Sequence, residues 1–177
     1  EGLLGVITEI TVKLTKKPEV AKLVMAGFDS VRDCANAVAD IIKNGIIPAG
    51  LEMMDEFAIE ASEEFARPGY PLGSKALLLC ELDGSDELVS NDLETVLSLL
   101  SKASSVRVSE SEEERLLLWK GRKSAFPAVG RISPDYYCMD GTIPKRHLGD
   151  VLEKINALSM HYSLRVANVF HAGDGNL

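Results

Sequence analysis

The sequence predicts a single mixed domain in which β-strands and α-helices alternate, and three observations carry that prediction. Apolar residues recur every second position in some stretches and at helical spacing in others. No internal repeat or low-complexity tract interrupts them. The composition, 46% apolar and 26% charged over 177 residues, is that of a globular domain, and a chain this size buries roughly 70% of its unfolded surface. Alternation alone suits a parallel α/β sheet. An antiparallel sheet of split β-α-β units suits it equally, because no Gly-rich dinucleotide turn joins a strand to a helix.

Residues 6–14 alternate apolar side chains with Thr8, Glu9, Thr11 and Lys13, which is strand chemistry, and Pro18 closes the stretch. Residues 20–28 form a second apolar strand. Ser30 caps a helix through Val31, Cys34, Ala35, Val38, Ile41 and Ile42, with Asn44-Gly45 as its stop. Residues 48–54 read as a short strand, and Asp55 caps a helix through Phe57, Ala58, Ala61 and Phe65. Two prolines and two glycines make residues 67–73 a loop. A strand over 75–82 and a helix over 86–102 follow, then a short strand at 106–108. Ser109 or Ser111 opens a helix whose acids Glu112, Glu113 and Glu114 suit its N-terminal dipole; it runs past Trp119 and stops near Pro127. Residues 135–143 read as extended. Pro144 takes the first position of a helix holding Leu148, Val151, Leu152, Ile155, Leu158 and Tyr162, and residues 165–170 form the last strand.

Nineteen basic and 27 acidic side chains give a net charge of −8, which disfavours nucleic acid and anionic membranes as partners. The odd cysteine count (Cys34, Cys80, Cys138), without C-x-x-C spacing, disfavours a disulfide framework or an all-cysteine zinc site. Cys34 and Cys80 fall on apolar faces as small hydrophobes. The longest aliphatic run, residues 76–80, is far below the ~18 residues of a membrane span. These features suggest a soluble protein of a reducing compartment. The chain opens on Glu1 rather than Met and closes on a Gly173–Leu177 turn with no strand after it, the expectation being an excised piece of a longer protein.

Four places carry candidate chemistry. His171 leaves a strand into Ala172-Gly173-Asp174-Gly175-Asn176, where glycines permit close backbone approach; its imidazole suits a metal ligand or a base, or belongs to an ordinary hairpin. Arg122 lies near the apolar face of its helix, three and four residues after Trp119 and Leu118, and is held by an internal partner, by an anionic ligand such as a carboxylate, or by solvent at the helix end. Lys120 and Lys123 read as solvated. Residues 135–142 are rich in polar aromatics and suit a core strand with a wet rim, or a pocket wall. Gly2-Leu3-Leu4-Gly5-Val6 permits close approach but lacks a phosphate-binding lysine, so by itself it starts a strand.

These residues also carry a family resemblance. Residues 1–9, Glu1-Gly2-Leu3-Leu4-Gly5-Val6-Ile7-Thr8-Glu9, resemble the junction that ends the flavin domain of FAD-linked oxidases in the vanillyl-alcohol oxidase superfamily. Leu51-Glu52-Met53-Met54-Asp55 is similar to the family's L-E-x-M-D element. Residues 135–144 and 166–176 resemble its glycolate oxidase branch. The resemblance implies an α+β, ferredoxin-like split β-α-β cap domain with an antiparallel sheet and helices on one face. Residues 1–8 would be the tail of the flavin junction and 9–177 a substrate or cap domain, truncated at its C-terminal side.

By the same resemblance the whole protein oxidises a D-2-hydroxy acid, glycolate to glyoxylate in this branch, passing a hydride to FAD held mostly by a preceding domain. His171 matches the first His of H-x-G-D-G-N-x-H, which binds a divalent metal such as Zn or Mn with a second His and a later Glu; both would lie beyond Leu177. Arg122 matches the arginine that grips the substrate carboxylate, and Asn176 an asparagine near substrate. Gly2, Leu4, Gly5 and Val6 match the flavin junction. Cys138 stands where some hydroxyglutarate enzymes carry a substrate-binding lysine, which disfavours a dicarboxylate. Implied partners are the chain's own FAD domain and companion glycolate oxidase subunits, one of them an iron–sulfur protein. The implied location is cytoplasmic, or peripheral at the inner membrane face through those subunits. The fragment alone is expected to be inactive. D-lactate oxidation in the same family is the alternative reaction, and a non-catalytic ferredoxin-like ligand-binding or subunit-docking module the alternative class.

Overall fold

The two central strands explain the architecture. In the computed structural model, which describes residues 3–177, β1 (Val20–Phe28) and β3 (Ala76–Gly84) lie side by side in a five-stranded antiparallel sheet. Both are apolar on both faces: Val24, Ala26, Phe28, Ala76, Leu78, Cys80 and Leu82 enter one core, while Leu23, Met25, Leu77 and Leu79 enter another. A sheet with two apolar faces needs cover on both. The first core is covered by α1 (Val31–Lys43), α3 (Asp86–Leu99) and α6 (Leu148–Tyr162). The second is covered by α2 (Glu56–Ala66), α4 (Glu112–Lys123) and α5 (Ala125–Ile132).

With β2 (Gly50–Asp55), β4 (Ser105–Val108) and β5 (Val169–His171), the strand order is β4-β1-β3-β2-β5. The first four strands make two split β-α-β units: β3 lies between β1 and β2, and β1 between β3 and β4. This is the expected ferredoxin-like α+β arrangement. The expectation of helices on one face holds for the crossover helices α1 and α3 but not for the molecule. Where the simple pattern has a hairpin, β2 leads through α2 on the opposite face, and α4 and α5 join it there.

Local signals set most boundaries. The Ser30 hydroxyl accepts from Asp33 N (3.2 Å), Asp55 Oδ1 from Ala58 N (3.0 Å) and Ser111 Oγ from Glu114 N (3.2 Å), each satisfying an orphan donor of a first helical turn. Ser109 does not cap: it is buried, and its hydroxyl accepts from Leu23 N at 3.0 Å.

Four expectations are corrected. Residues 6–14 form no strand; Val6, Ile7, Ile10, Val12 and Leu14 are exposed, and the segment pairs with none of the five strands. Packing starts at Glu19, whose N–H donates to Gly84 O (2.9 Å). Pro127 does not end a helix but sits in the first turn of α5, where a missing N–H costs nothing. Residues 135–143 pair with the sheet nowhere; Thr142 alone bridges, to Asn176. Pro144 precedes a 3₁₀ turn, Lys145–His147, that leads into α6.

Candidate functional site

The site forms where the edge strand β5 meets β2. Their antiparallel register sets Glu52 opposite His171. Leu51 and Met53 point into the first core and Met54 into the second, so strand alternation turns Glu52 toward the α2, α4 and α5 side. A carboxylate there is flanked by apolar strand residues and must find partners.

Helix α4 supplies one. It seats closely on the sheet and on the preceding loop because two positions lack side chains. A Cβ on Gly50 would lie 2.8 Å from the Trp119 ring, and one on Gly121 2.6 Å from Pro68 and from the Tyr70 hydroxyl. The Tyr70 hydroxyl donates to Leu118 O (2.6 Å), and burial raises its phenol above the ordinary range. One turn away on the sheet, Glu81 accepts from Arg115 Nη1 (2.6 Å) and from the Trp119 indole. These contacts fix the last turn of α4, from which Arg122 reaches over β2.

There Glu52 Oε2 accepts from Arg122 Nε (2.8 Å) and lies 2.7 Å from Nη2, while Oε1 lies 3.0 Å from His171 Nδ1. The Glu52 and Arg122 side chains are 13% and 19% exposed, against 38% for His171, so solvent reaches the assembly from the His171 side. The Arg122 guanidinium spends Nε and Nη2 on Glu52 and makes no other hydrogen bond among the described residues, leaving Nη1 for an anion. On His171, Nε2 faces Gly173, where a Cβ would approach it to 3.0 Å; a side chain there would crowd that nitrogen, which makes no hydrogen bond among the described residues.

The turn after β5 is built to hold this geometry. Ala172 N donates to Leu51 O (2.7 Å) and Ile143 N to Gly175 O (2.9 Å). Gly175 has φ +84°, and a Cβ there would lie 2.2 Å from Ile143 O, so no other residue fits without displacing Ile143. Below it, Asp55 Oδ2 accepts from Asn168 N and Nδ2, both at 2.8 Å, and Asp55 N donates to Asn168 O (3.0 Å). Burial raises the Asp55 carboxyl above its ordinary value despite these bonds.

The structure therefore brings Arg122 and His171 together through a shared carboxylate. Asn176 makes no hydrogen bond to either. Its backbone N donates to Asp174 Oδ1 (3.0 Å), and its amide, oriented with nitrogen toward the 140–141 segment, donates to Asp140 Oδ1 (2.9 Å). Leu4, Gly5 and Val6 are exposed and a Cβ on Gly5 would touch nothing; Gly2 lies outside the described residues. Tyr136, Tyr137, Met139 and Cys138 are exposed, not a core strand. Among the described residues no three His, Cys, Asp or Glu side chains are placed to hold a metal ion. A concavity of about 450 Å³ opens on the opposite face of the sheet; Met53 and Phe170 line it, not Glu52 or His171.

Glu52 is the functional candidate that the residue-by-residue reading missed. Its signal was present: a carboxylate between Leu51 and Met53, two residues committed to the core.

Comparison with known proteins gives the family. The family model for FAD linked oxidases, C-terminal domain, matches residues 17–177, and the chain belongs to that family. It is 61% identical to the glycolate oxidase subunit GlcD of Escherichia coli (strain K12) over the whole chain, and 38% identical to GlcD of Bacillus subtilis. It is 31% identical to the mitochondrial D-lactate dehydrogenase [cytochrome] of Arabidopsis thaliana over 99% of its length. The chain spans 36%, 38% and 31% of these relatives, about a third of their length. Alkyldihydroxyacetonephosphate synthase shares the fold at TM-score 0.60, with 13% identity over 84% of this chain and 31% of that one. No helix among the described residues is long and apolar enough to cross a membrane.

Proposed function

We propose that this chain is the substrate-side C-terminal part of an FAD-dependent 2-hydroxy acid oxidoreductase, with glycolate as substrate and glyoxylate as product. The observation that carries the proposal is the meeting of Arg122 and His171 on Glu52. A 2-hydroxy carboxylate needs a cation for its carboxylate and a lone pair for its hydroxyl proton. Arg122 Nη1 and His171 Nε2 offer these on one edge of the sheet.

Arg122 binds and orients the carboxylate, with Glu52 holding its guanidinium plane. His171 Nε2 faces the substrate hydroxyl and receives its proton, leaving the carbinol C–H directed away from the imidazole. The flavin, when bound, supplies the hydride acceptor. Leu4, Gly5 and Val6 are exposed, open to contact with a flavin that the reading assigns chiefly to polypeptide outside these 177 residues. The same Nε2 suits one coordination position of a divalent metal such as Zn or Mn, whose role would be to acidify the hydroxyl; the remaining ligands would come from outside the described residues. The name of the Escherichia coli relative, a subunit, supports assembly with companion subunits; an iron–sulfur protein among them is part of the proposal. A cytoplasmic or peripheral inner-membrane location accords with that.

The test is dye-linked oxidation by the flavin-loaded protein, comparing glycolate with D-lactate, the substrate named for the Arabidopsis thaliana relative. Glycolate is expected to have the higher kcat/KM; preference for D-lactate reassigns the substrate. His171→Ala should reduce turnover at least 100-fold with flavin absorbance intact, and an unchanged rate removes His171 from the chemistry. Chelator dialysis that abolishes turnover, restored by Zn or Mn, marks Nε2 as a metal ligand; retained turnover marks it as the base. The 177 residues alone should be colourless and inactive.

A further inference from the structure

We infer that Glu52 is a positioning residue that selects the His171 tautomer and the Arg122 orientation at once. The inference rests on the site proposed above but is separable from the identity of its substrate.

A carboxylate has only acceptors, so the nitrogen 3.0 Å from Glu52 Oε1 must carry the proton. His171 is thereby held as the Nδ1–H tautomer, with the lone pair on Nε2. That nitrogen is the one beside Gly173, which no side chain crowds. Without Glu52 the imidazole would be free to place its proton on either nitrogen and to rotate about χ2. The other Glu52 oxygen takes Nε and Nη2 of Arg122, fixing the guanidinium in the plane that presents Nη1 outward. One side chain thus sets both partners, and sets them relative to each other.

The arrangement is inbuilt rather than adventitious. Glu52 is locked by the β2–β5 register and lies among buried neighbours, while the ends of both partner side chains are held by separate elements, α4 and β5. Replacing the carboxylate by its amide keeps shape and volume but turns one acceptor into a donor. In Glu52→Gln the amide oxygen keeps Arg122, the stronger donor, and the NH₂ group then faces His171 Nδ1. The imidazole must answer by moving its proton to Nε2. The variant therefore inverts the tautomer while leaving Arg122 in place.

The experiment uses ¹⁵N-histidine NMR together with steady-state kinetics on the flavin-loaded protein. In the parent, the His171 shifts should report an unprotonated Nε2; in Glu52→Gln they should report an unprotonated Nδ1. The kcat should fall about 10–100-fold, the range typical for partners that orient a reactive histidine, with KM changed less than about threefold. Glu52→Ala, which releases both partners, should lower kcat and raise KM together, and Glu52→Asp should recover part of the loss. An Nε2–H tautomer in the parent, or Glu52→Gln with an unchanged tautomer and kcat within twofold, overturns the assignment. If no 2-hydroxy acid is oxidised at all, the functional reading fails while the NMR comparison still decides the role of Glu52.

Discussion

Glu52 and Arg122 are charges held mostly out of water, and each is tolerable only because the other is there. Removing Glu52 leaves a mostly desolvated guanidinium unpaired, so Glu52→Ala should lower unfolding free energy by roughly 1–3 kcal/mol, measured by urea denaturation. Gly121 is the other sensitive residue, since a methyl there meets Pro68 and Tyr70 at 2.6 Å. Gly121→Ala should destabilise the protein by about 1–3 kcal/mol through overpacking and raise KM by displacing Arg122; unchanged stability and KM would show that α4 has room. Thiols give a third readout. Cys34 and Cys80 are buried, burial pushing the Cys80 thiol up to about 12 and Cys34 higher, whereas Cys138 is exposed. One thiol per native molecule should react rapidly with an aromatic disulfide, and all three after unfolding. At this scale the sequence spoke unevenly. His171 stood out because glycines flank it, and Arg122 because it follows Leu118 and Trp119 on one helix. Glu52 carried only the faint mark of a carboxylate between two core residues, because its partners lie on β5 and α4, far away in the chain, and pairing across strands is not a local signal.

Among the elements, β2 carries most of the consequence. Its last residue, Asp55, caps α2 and clamps Asn168 ahead of β5, so Asp55→Ala should cost about 2 kcal/mol or more from the lost cap and the stranded amide. Its titration has a defined sign. Burial raises the folded carboxyl above its unfolded value, so its contribution is most favourable at acid pH and falls as pH rises through the raised value. Asp55→Asn should remove that slope. The difference in urea midpoint between parent and variant, followed upward from the ordinary aspartate range, should change in the direction that favours the variant as pH rises; a flat difference contradicts the assignment. Elements with a local punctuation mark were legible: α1 between Ser30 and Asn44-Gly45, α2 after Asp55, and β1 and β3 from their apolar runs. Residues 6–14 have the alternation of a strand, but a strand also needs a pairing partner, and alternation says nothing about partners. Pro127 misled because a proline that ends one helix is equally at home in the first turn of the next.

The molecule as a whole is a ferredoxin-like sheet with one added edge strand, and the added strand is where the candidate chemistry sits. The doubly apolar runs of β1 and β3 already required helices on both faces. What they did not reveal was which helices, because the crossover helices α1 and α3 carry amphipathic patterns no different in kind from those of α2, α4 and α5. The three-residue strand β5 is short, yet it is held from both sides by the Asp55–Asn168 clamp and the Ala172–Leu51 bond, enough to present His171 to Glu52. The central claim is that this edge binds a 2-hydroxy carboxylate through Arg122. The most direct test is anaerobic flavin reduction by glycolate in the flavin-loaded protein, comparing the parent with Arg122→Met. The account predicts that glycolate bleaches the parent flavin and that Arg122→Met raises the apparent Kd about 100-fold, a loss of roughly 2.7 kcal/mol, with the flavin spectrum before substrate unchanged. An Arg122→Met protein that binds glycolate within twofold of the parent and reduces its flavin at the parent rate would contradict it.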